Sequence, residues 1–504
     1  MMNEMVTRRA ALAGAGAAAV IAPALLRAAP PQGAAFSWEG LVARAAALAA
    51  RAYVPPPPPA RGASAVTYDT LNHVAYRDDQ TLWGTGGIPG VRFFPLNKYA
   101  HTPVEIALVE QGRVRPFAFR RDLFRGAEHL PPDVAGFSGF RLMNPNGVGD
   151  WFAMQGASYF RSAGPRDQYG LSARALAIDT GLSTPEEFPF FSHVWLEPAG
   201  RDAMTIYALL DSPSVAGAWR MLVRHTAEGV TQDVTCAMQF RRAVRRLGIA
   251  PCTSMFWYGE GDRAQAVDWR PEIHDSDGLA MLTGAGERIW RPLRNPPRSL
   301  TNSFADNDPK GFGLLQRDRV FDHYQDDGVF YERRPNLWVE PLGRWGKGAV
   351  TLFEMATHGE TDDNIVAFWT PATATAAGQR LALDYRLHWT ATEPQPLTVA
   401  RAADIWRGTA GNPGQPPIAG ATRVVVDFVG PTLAGLSRTS GVAADIALDR
   451  GKPLSIAAYP VVGRNETWRM IVDVRDTDGQ PVNLRAFLRR GDTALTETLL
   501  YQIL

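Results

Sequence analysis

From Val66 onward the chain is written almost entirely in short runs of alternating apolar and polar residues. That period of two limits what it can fold into more than any other feature, because successive side chains of a strand point to opposite faces. Runs at 104–109, 205–210, 219–223, 349–353 and 380–387 are each bounded by Gly, Pro, Asp or Asn, which supply turn chemistry. Their number before residue 395 predicts a large, mainly antiparallel β-sandwich rather than a small barrel. Helical spacing appears once near the start, where Ser37 can cap a short helix carrying Leu41, Ala45 and Leu48 on one face. Residues 55–59, five prolines, form a stiff extended connector.

A break in composition falls at Glu393-Pro394-Gln395-Pro396. A helical turn is expected over 400–406, then a Gly/Pro loop over 408–420. Beyond it come about seven short strands, the density of an immunoglobulin-like sandwich without its disulfide. At 504 residues the chain exceeds one ordinary core, so this division is expected on size as well. The expected organisation is a leader over 1–35, a catalytic β-sandwich over 36–395, a linker over 396–420 and a small β-sandwich over 421–504.

The 52 basic residues are balanced by 51 acidic ones, which argues against nucleic acid or an acidic membrane surface as partner. A neutral polymer suits this balance better. Cys236 and Cys252 are the only cysteines; they form either one disulfide or two buried thiols, and their spacing matches no zinc motif. There is no HExxH, no nucleophile elbow and no P-loop, and no metal or other cofactor is expected. The Gly-rich segment 84–90 lacks dinucleotide-binding spacing and reads as a turn. Arg8-Arg9 precede a weakly apolar, Gly/Ala-rich run over 13–26, which reads as a twin-arginine-type export signal; an ordinary secretory signal is the alternative, and either places the mature chain outside the cytoplasm.

Carboxylates, amides and aromatics concentrate between Trp269 and Trp369. The stretch opens with Ile273-His274-Asp275-Ser276-Asp277 and closes with Gly359-Glu360-Thr361-Asp362-Asp363-Asn364. Two acidic clusters flanking aromatic and basic groups are what carbohydrate cleavage requires: one carboxyl protonates the leaving oxygen and the second activates water. Tyr331, Trp338, Trp345 and Trp369 could stack on sugar rings or simply fill a β core. Arg333, Arg334 and Lys347 could bind hydroxyls or pair with the carboxylates, and Asn307 and Lys310 could bind sugar or shape a turn. Spacing alone leaves these alternatives open.

Several longer motifs narrow them. Gln168-Tyr169-Gly170-Leu171-Ser172-Ala173-Arg174, Ile249-Ala250-Pro251, Thr253-Ser254-Met255-Phe256 and the Asp275 motif resemble the periplasmic glucan biosynthesis family (OpgG/OpgD, also MdoG/MdoD). So do Asn307 with Pro309-Lys310-Gly311-Phe312-Gly313, His323-Tyr324-Gln325, Arg334-Pro335, Leu337-Trp338-Val339-Glu340-Pro341, Trp345-Gly346-Lys347-Gly348 and Leu500-Tyr501-Gln502. The resemblance runs from about Phe36 to Leu504, and the twin-arginine-type leader points to the OpgD branch. It implies a galactose-mutarotase-like β-sandwich followed by an immunoglobulin-like one. It also implies an anomer-inverting endo-β-1,2-glucanase acting on osmoregulated periplasmic glucans, with Asp363 as general acid, Asp275 as general base, Glu360 supporting the acid and Tyr331 on a loop covering the groove. Trp338, Arg334, Lys310, Asn307, Trp345 and Lys347 are the expected substrate-binding residues. A homodimer and contact with the membrane glucan-synthesis machinery are the further partners considered.

Two departures from the family pattern bear on the outcome. Asp362 adds a charge beside the acid, and residues 408–420 form a short segment without aromatics. If water is kept out, a sugar hydroxyl becomes the acceptor and the same site closes or branches a glucan. A non-catalytic glucan-binding partner of a synthase is the remaining reading.

Overall fold

The β-run from Gly229 to Phe240 shows why the chain folds as layers: its residues alternate between buried and half-buried along the whole strand. One face of such a strand must be covered, and a second sheet covers it. The structure, a computed structural model, describes residues 32–412, 414–475 and 480–503; the expected leader lies almost wholly outside them. Among these residues the chain is all-β with a few short helices, as its alternating pattern predicts.

Two large sheets face each other. The wider one contains fifteen strands and the other ten. Their inner faces share one core, in which Phe93, Phe140, Ile249, Cys252 and Trp369 of the ten-stranded sheet meet Ile206, Trp219, Val234, Phe312 and Tyr385 of the wider one. Strand Leu247–Ser254 is buried along its entire length, as the middle of a sheet covered on both faces must be. Both cysteines are free and buried. The predicted helix forms over Trp38–Ala49; the Ser37 hydroxyl accepts the Gly40 N–H, and Leu41, Ala45 and Leu48 are buried. They pack on Ala107, Trp195, Leu209 and Ala216, closing the outer face of the wide sheet.

The C-terminal part is not attached through a hinge. Strand Thr498–Ile503 pairs in parallel with Arg288–Pro292, matching Ile289 with Thr498 and Trp290 with Leu499, so the wide sheet continues into it. A four-stranded sheet packs across that extension around a second core containing Val426, Phe428, Trp468 and Leu499. The segment expected as a helical turn at 400–406 is part of strand Arg401–Thr409, the first edge of this sheet, and lies within the range expected as linker. Its buried residues, Ala402 and Ile405, are three apart because the register slips between Ala402 and Asp404. A bulge adds one residue to the period of two, and the resulting spacing mimics a helix.

Buried ion pairs lock this joint. Arg317 pairs with Glu497 at 2.5 Å and 3.1 Å, and Arg294 holds Asp262 while donating to the Tyr501 hydroxyl at 3.1 Å and the Gln502 carbonyl at 2.9 Å. Removing one partner of a buried pair leaves the other charge without compensation. Glu497→Ala is therefore expected to lower the unfolding free energy by about 3–5 kcal/mol in a urea titration, whereas an unchanged midpoint would mean that the joint does not depend on this pair.

Candidate active site

Two consecutive residues after the buried strand, Met255 and Phe256, hold both acidic clusters. The Asp275 amide donates to the Met255 carbonyl at 2.9 Å, and His274 pairs with Phe256 in a two-stranded ladder. From the other side, buried Asn364 accepts the Phe256 N–H at 2.8 Å and donates to the Phe256 carbonyl at 2.9 Å and the Met355 carbonyl at 3.0 Å. Asp363 immediately precedes Asn364, so residues almost ninety positions apart are hung from one short piece of backbone.

The electrostatic settings of the two carboxyls differ. Asp275 is buried and ion-paired with the Arg334 guanidinium. Burial pushes Arg334 down to about 10, with Glu360 opposing that shift. The Arg334 guanidinium also lies 4.0 Å from the centre of the Tyr331 ring. Asp363 is exposed and lines a cavity, whose walls displace part of its hydration. Desolvation raises its pKa; Arg174 and Arg161 pull it down, and the Asp362 charge pushes it further up. Asp362 itself accepts a hydrogen bond from the Thr357 hydroxyl at 2.7 Å.

Glu360, expected to support the acid, is engaged by Arg270 and Tyr331. Its carboxylate accepts bonds from Arg270 at 2.8 Å and 3.2 Å and from the Tyr331 hydroxyl at 2.7 Å. The Arg270 bond, more than any other contact, holds it below the usual carboxylate range. Arg270 is the hub of this side: it also binds Asp268 at 2.9 Å and Asp326 at 2.8 Å. Asp326 in turn accepts the Gly328 and Val329 amides, each at 2.9 Å, which fixes the turn leading to Tyr331. Arg270 was not singled out from the sequence. Its adjacency to Asp268 and the Asp275 motif was visible there, but its partners at 326 and 360 were not.

The structure thus brings Asp275, Tyr331, Arg334 and Glu360 together through ion pairs, hydrogen bonds and a ring contact, while Asp363 is tied to Asp275 through the shared Met255–Phe256 backbone. It separates the other expected contacts. Trp338 is 0% exposed and cannot stack on sugar. In strand Asn336–Pro341 its neighbours Leu337 and Val339 face the main core, and the period of two turns Trp338 into the second core under Gly311. Trp345 is buried against Trp369 and Tyr385. Asn307, Lys310 and Lys347 are exposed around a turn built on Asp306 and Asp308, whose carboxylates accept the Gly284 and Gly346 amides. Among the described residues, no hydrogen bond or ion pair joins this turn to the Asp275 group.

Behind Asp275 lies a buried polar network. His274 meets Glu272 at 3.0 Å and Gln316 at 3.1 Å, while Gln316 donates to the His274 and Tyr331 carbonyls, each at 3.1 Å. The side chains of Glu272, Asp318 and His323 offer three ligand atoms within 4.8 Å of one another. Glu272 is already bound to His274, and His323 to Asp318 at 2.6 Å, so internal pairing accounts for the group without a metal.

Two outcomes test this geometry. Asn364→Leu leaves the Phe256 N–H and carbonyl buried without a side-chain partner, and each such group costs about 1–3 kcal/mol. A clear drop in the thermal midpoint is expected; a wild-type midpoint would refute the anchoring. For His274, burial favours the neutral form, but Glu272 and Asp277 outweigh it and raise the pKa from 6.5 to about 9. Between these values the folded chain keeps a proton that the unfolded chain releases, so stability falls as pH rises from 6.5 to about 9. Urea unfolding across that range should show the decline, and His274→Gln should abolish it.

Comparison with known proteins follows the motifs. Residues 36–503 match the family described as "Periplasmic glucan biosynthesis protein, MdoG". The chain is 44% identical over 501 residues to a protein named "Glucans biosynthesis protein D" from Xanthomonas campestris pv. campestris, covering 96% of this chain and 93% of that one. It is 42% identical over 527 residues to "Glucans biosynthesis protein D 2" from Ralstonia nicotianae, covering 99% and 98%. Among solved structures, a polysaccharide lyase shares 12% identity over 72% of this chain and 44% of its own, with a TM-score of 0.24. A galactose mutarotase related enzyme from Lactobacillus acidophilus shares 8% over 50% and 94%, with a TM-score of 0.23. Both scores are too low to carry an argument about fold or activity. The length and identity of the sequence matches do: the chain belongs to the periplasmic glucan biosynthesis protein family.

Proposed function

We propose that the chain is a periplasmic glycoside hydrolase that cleaves β-1,2-glucan backbones with inversion at the anomeric carbon, Asp363 acting as general acid and Asp275 as general base. The observation that carries this reading is the opposite treatment of two carboxyls hung from the same backbone. Desolvation favours the protonated form of Asp363, as a group that must give a proton to the leaving oxygen requires. Asp275 is held against a buried guanidinium, an environment that keeps a negative charge in place to draw a proton from the attacking hydroxyl. In this reading Tyr331, bound to Glu360 and covered by Arg334, closes the groove and limits access of bulk water. The family description and the export-signal pattern at Arg8-Arg9 support a periplasmic site of action.

That same closure favours a second reading. Tyr331 is buried and tied at its hydroxyl, so a glucan hydroxyl rather than water can be the acceptor, and the site then transfers glucan to form rings or branches.

Incubation of the purified protein with linear β-1,2-glucan separates the readings: new reducing ends mean hydrolysis, and rings or new linkages mean transfer. Unchanged polymer would leave a glucan-binding partner of a synthase. Asp275→Asn and Asp363→Asn should each lower turnover by at least about 10²–10⁴-fold, the usual contribution of a positioned acid or base. Full activity in either would remove its assigned role. Because Asp363 must be protonated, turnover should decline as pH rises through its raised pKa.

A further inference from the structure

Asp363 lies in the wall of a cavity of about 350 Å³ that Tyr99 also lines. Behind Tyr99 stands Tyr68, their rings 4.5 Å apart and 23° from parallel. These side chains are 56% and 65% exposed, although most of the large aromatics are buried. A single exposed aromatic is ordinary, but here Tyr99 lines a cavity with an assigned carboxyl, backed on one face by Tyr68 and with the exposed Lys98 ammonium 5.8 Å from its ring centre.

The pair is built to hold its position. Asn97, itself buried, accepts the Tyr99 and Ala100 amides at 2.9 Å and 3.0 Å, which sets the turn that projects Tyr99. The Lys98 amide donates to the Val66 carbonyl at 2.9 Å, tying that turn to the segment just ahead of Tyr68. Both rings are therefore placed before any ligand arrives, which lowers the ordering cost of binding. The rest of the lining mixes the aromatics Phe94, Tyr159 and Phe160 with small and polar residues. A Cβ on Gly156 would come within 3.4 Å of the Ala100 Cβ, so bulk there would narrow the space. Gln155, Arg161 and Ser172 add groups able to bond hydroxyls. Apolar ring faces beside a rim of hydrogen-bonding groups match a pyranose, whose C–H face is apolar and whose edge carries hydroxyls.

We propose that Tyr68 and Tyr99 form an aromatic platform for a distal glucose unit of a β-linked glucan whose scissile bond lies at Asp363. This inference rests on the glucan-cleaving reading of the same site and adds where the chain runs beyond it.

The test is calorimetric titration of Asp363→Asn protein, which holds substrate without consuming it, with long linear β-1,2-glucan. Adding Tyr99→Ala should weaken binding about tenfold, or about 1.4 kcal/mol; Tyr68→Ala added to it should weaken binding further. Tyr99→Phe should bind as the parent does, because the ring and not the hydroxyl carries the contact. Both positions are exposed, and circular dichroism checks that the variants fold. Unchanged affinity in Tyr99→Ala, or equal losses in Tyr99→Phe and Tyr99→Ala, would overturn the platform while leaving the proposed cleavage standing. Polymer that does not bind the Asp363→Asn protein would overturn both. Polymer held through the tyrosines but left intact by the wild-type chain would overturn the hydrolytic reading and, with it, the scissile bond placed at Asp363.

Discussion

The backbone of Met255 and Phe256 is the element on which the rest of the site depends. It leaves a strand that is buried from Leu247 to Ser254 and so has almost no freedom to move. The turn bearing Asp363 is fastened to it through three hydrogen bonds of Asn364, and the segment bearing Asp275 through the amide of Asp275 itself. Catalysis by two carboxyls tolerates little error in their separation. A pair of loops could not hold such a separation alone, but loops pinned to the centre of a sheet can.

Guanidinium groups then give otherwise similar carboxyls different properties. Arg334 pairs with Asp275, Arg270 gathers Asp268, Asp326 and Glu360, and Arg174 and Arg161 act on Asp363 from a distance. Asp363, which has no guanidinium in direct contact among its described partners, is raised chiefly by desolvation, as is buried Asp277 beside Asp275. Arg270 and Glu360 also hold the turn of Tyr331, so that turn belongs to the same ion-pair network.

The alternation of residues such as those in Gly229–Phe240 made the layered β architecture readable, and Ser37 with Leu41, Ala45 and Leu48 made the helix Trp38–Ala49 readable. The strand at Arg401–Thr409 was not readable, because a bulge after Ala402 spaced its inward residues three apart. Trp338 was misplaced for a related reason: its face of the sheet is covered by a second sandwich, and no local pattern announces that cover. In the site, the motif residues Asp275, Tyr331, Arg334 and Glu360 do converge, whereas Arg270 and Asn364 owe their importance to partners 56 to 108 positions away.

By itself, the sequence determined the all-β class, the motifs that carry the family and the carboxyls worth examining, because strand period, turn chemistry and long motifs are local properties of a chain. Tertiary structure decided which of those carboxyls is ion-paired and which is desolvated, which tryptophans are core, and that the C-terminal sandwich is a continuation of the main sheet. Each of these depends on what comes to lie across a layer from a residue. That depends on long-range packing, and no window of sequence contains it.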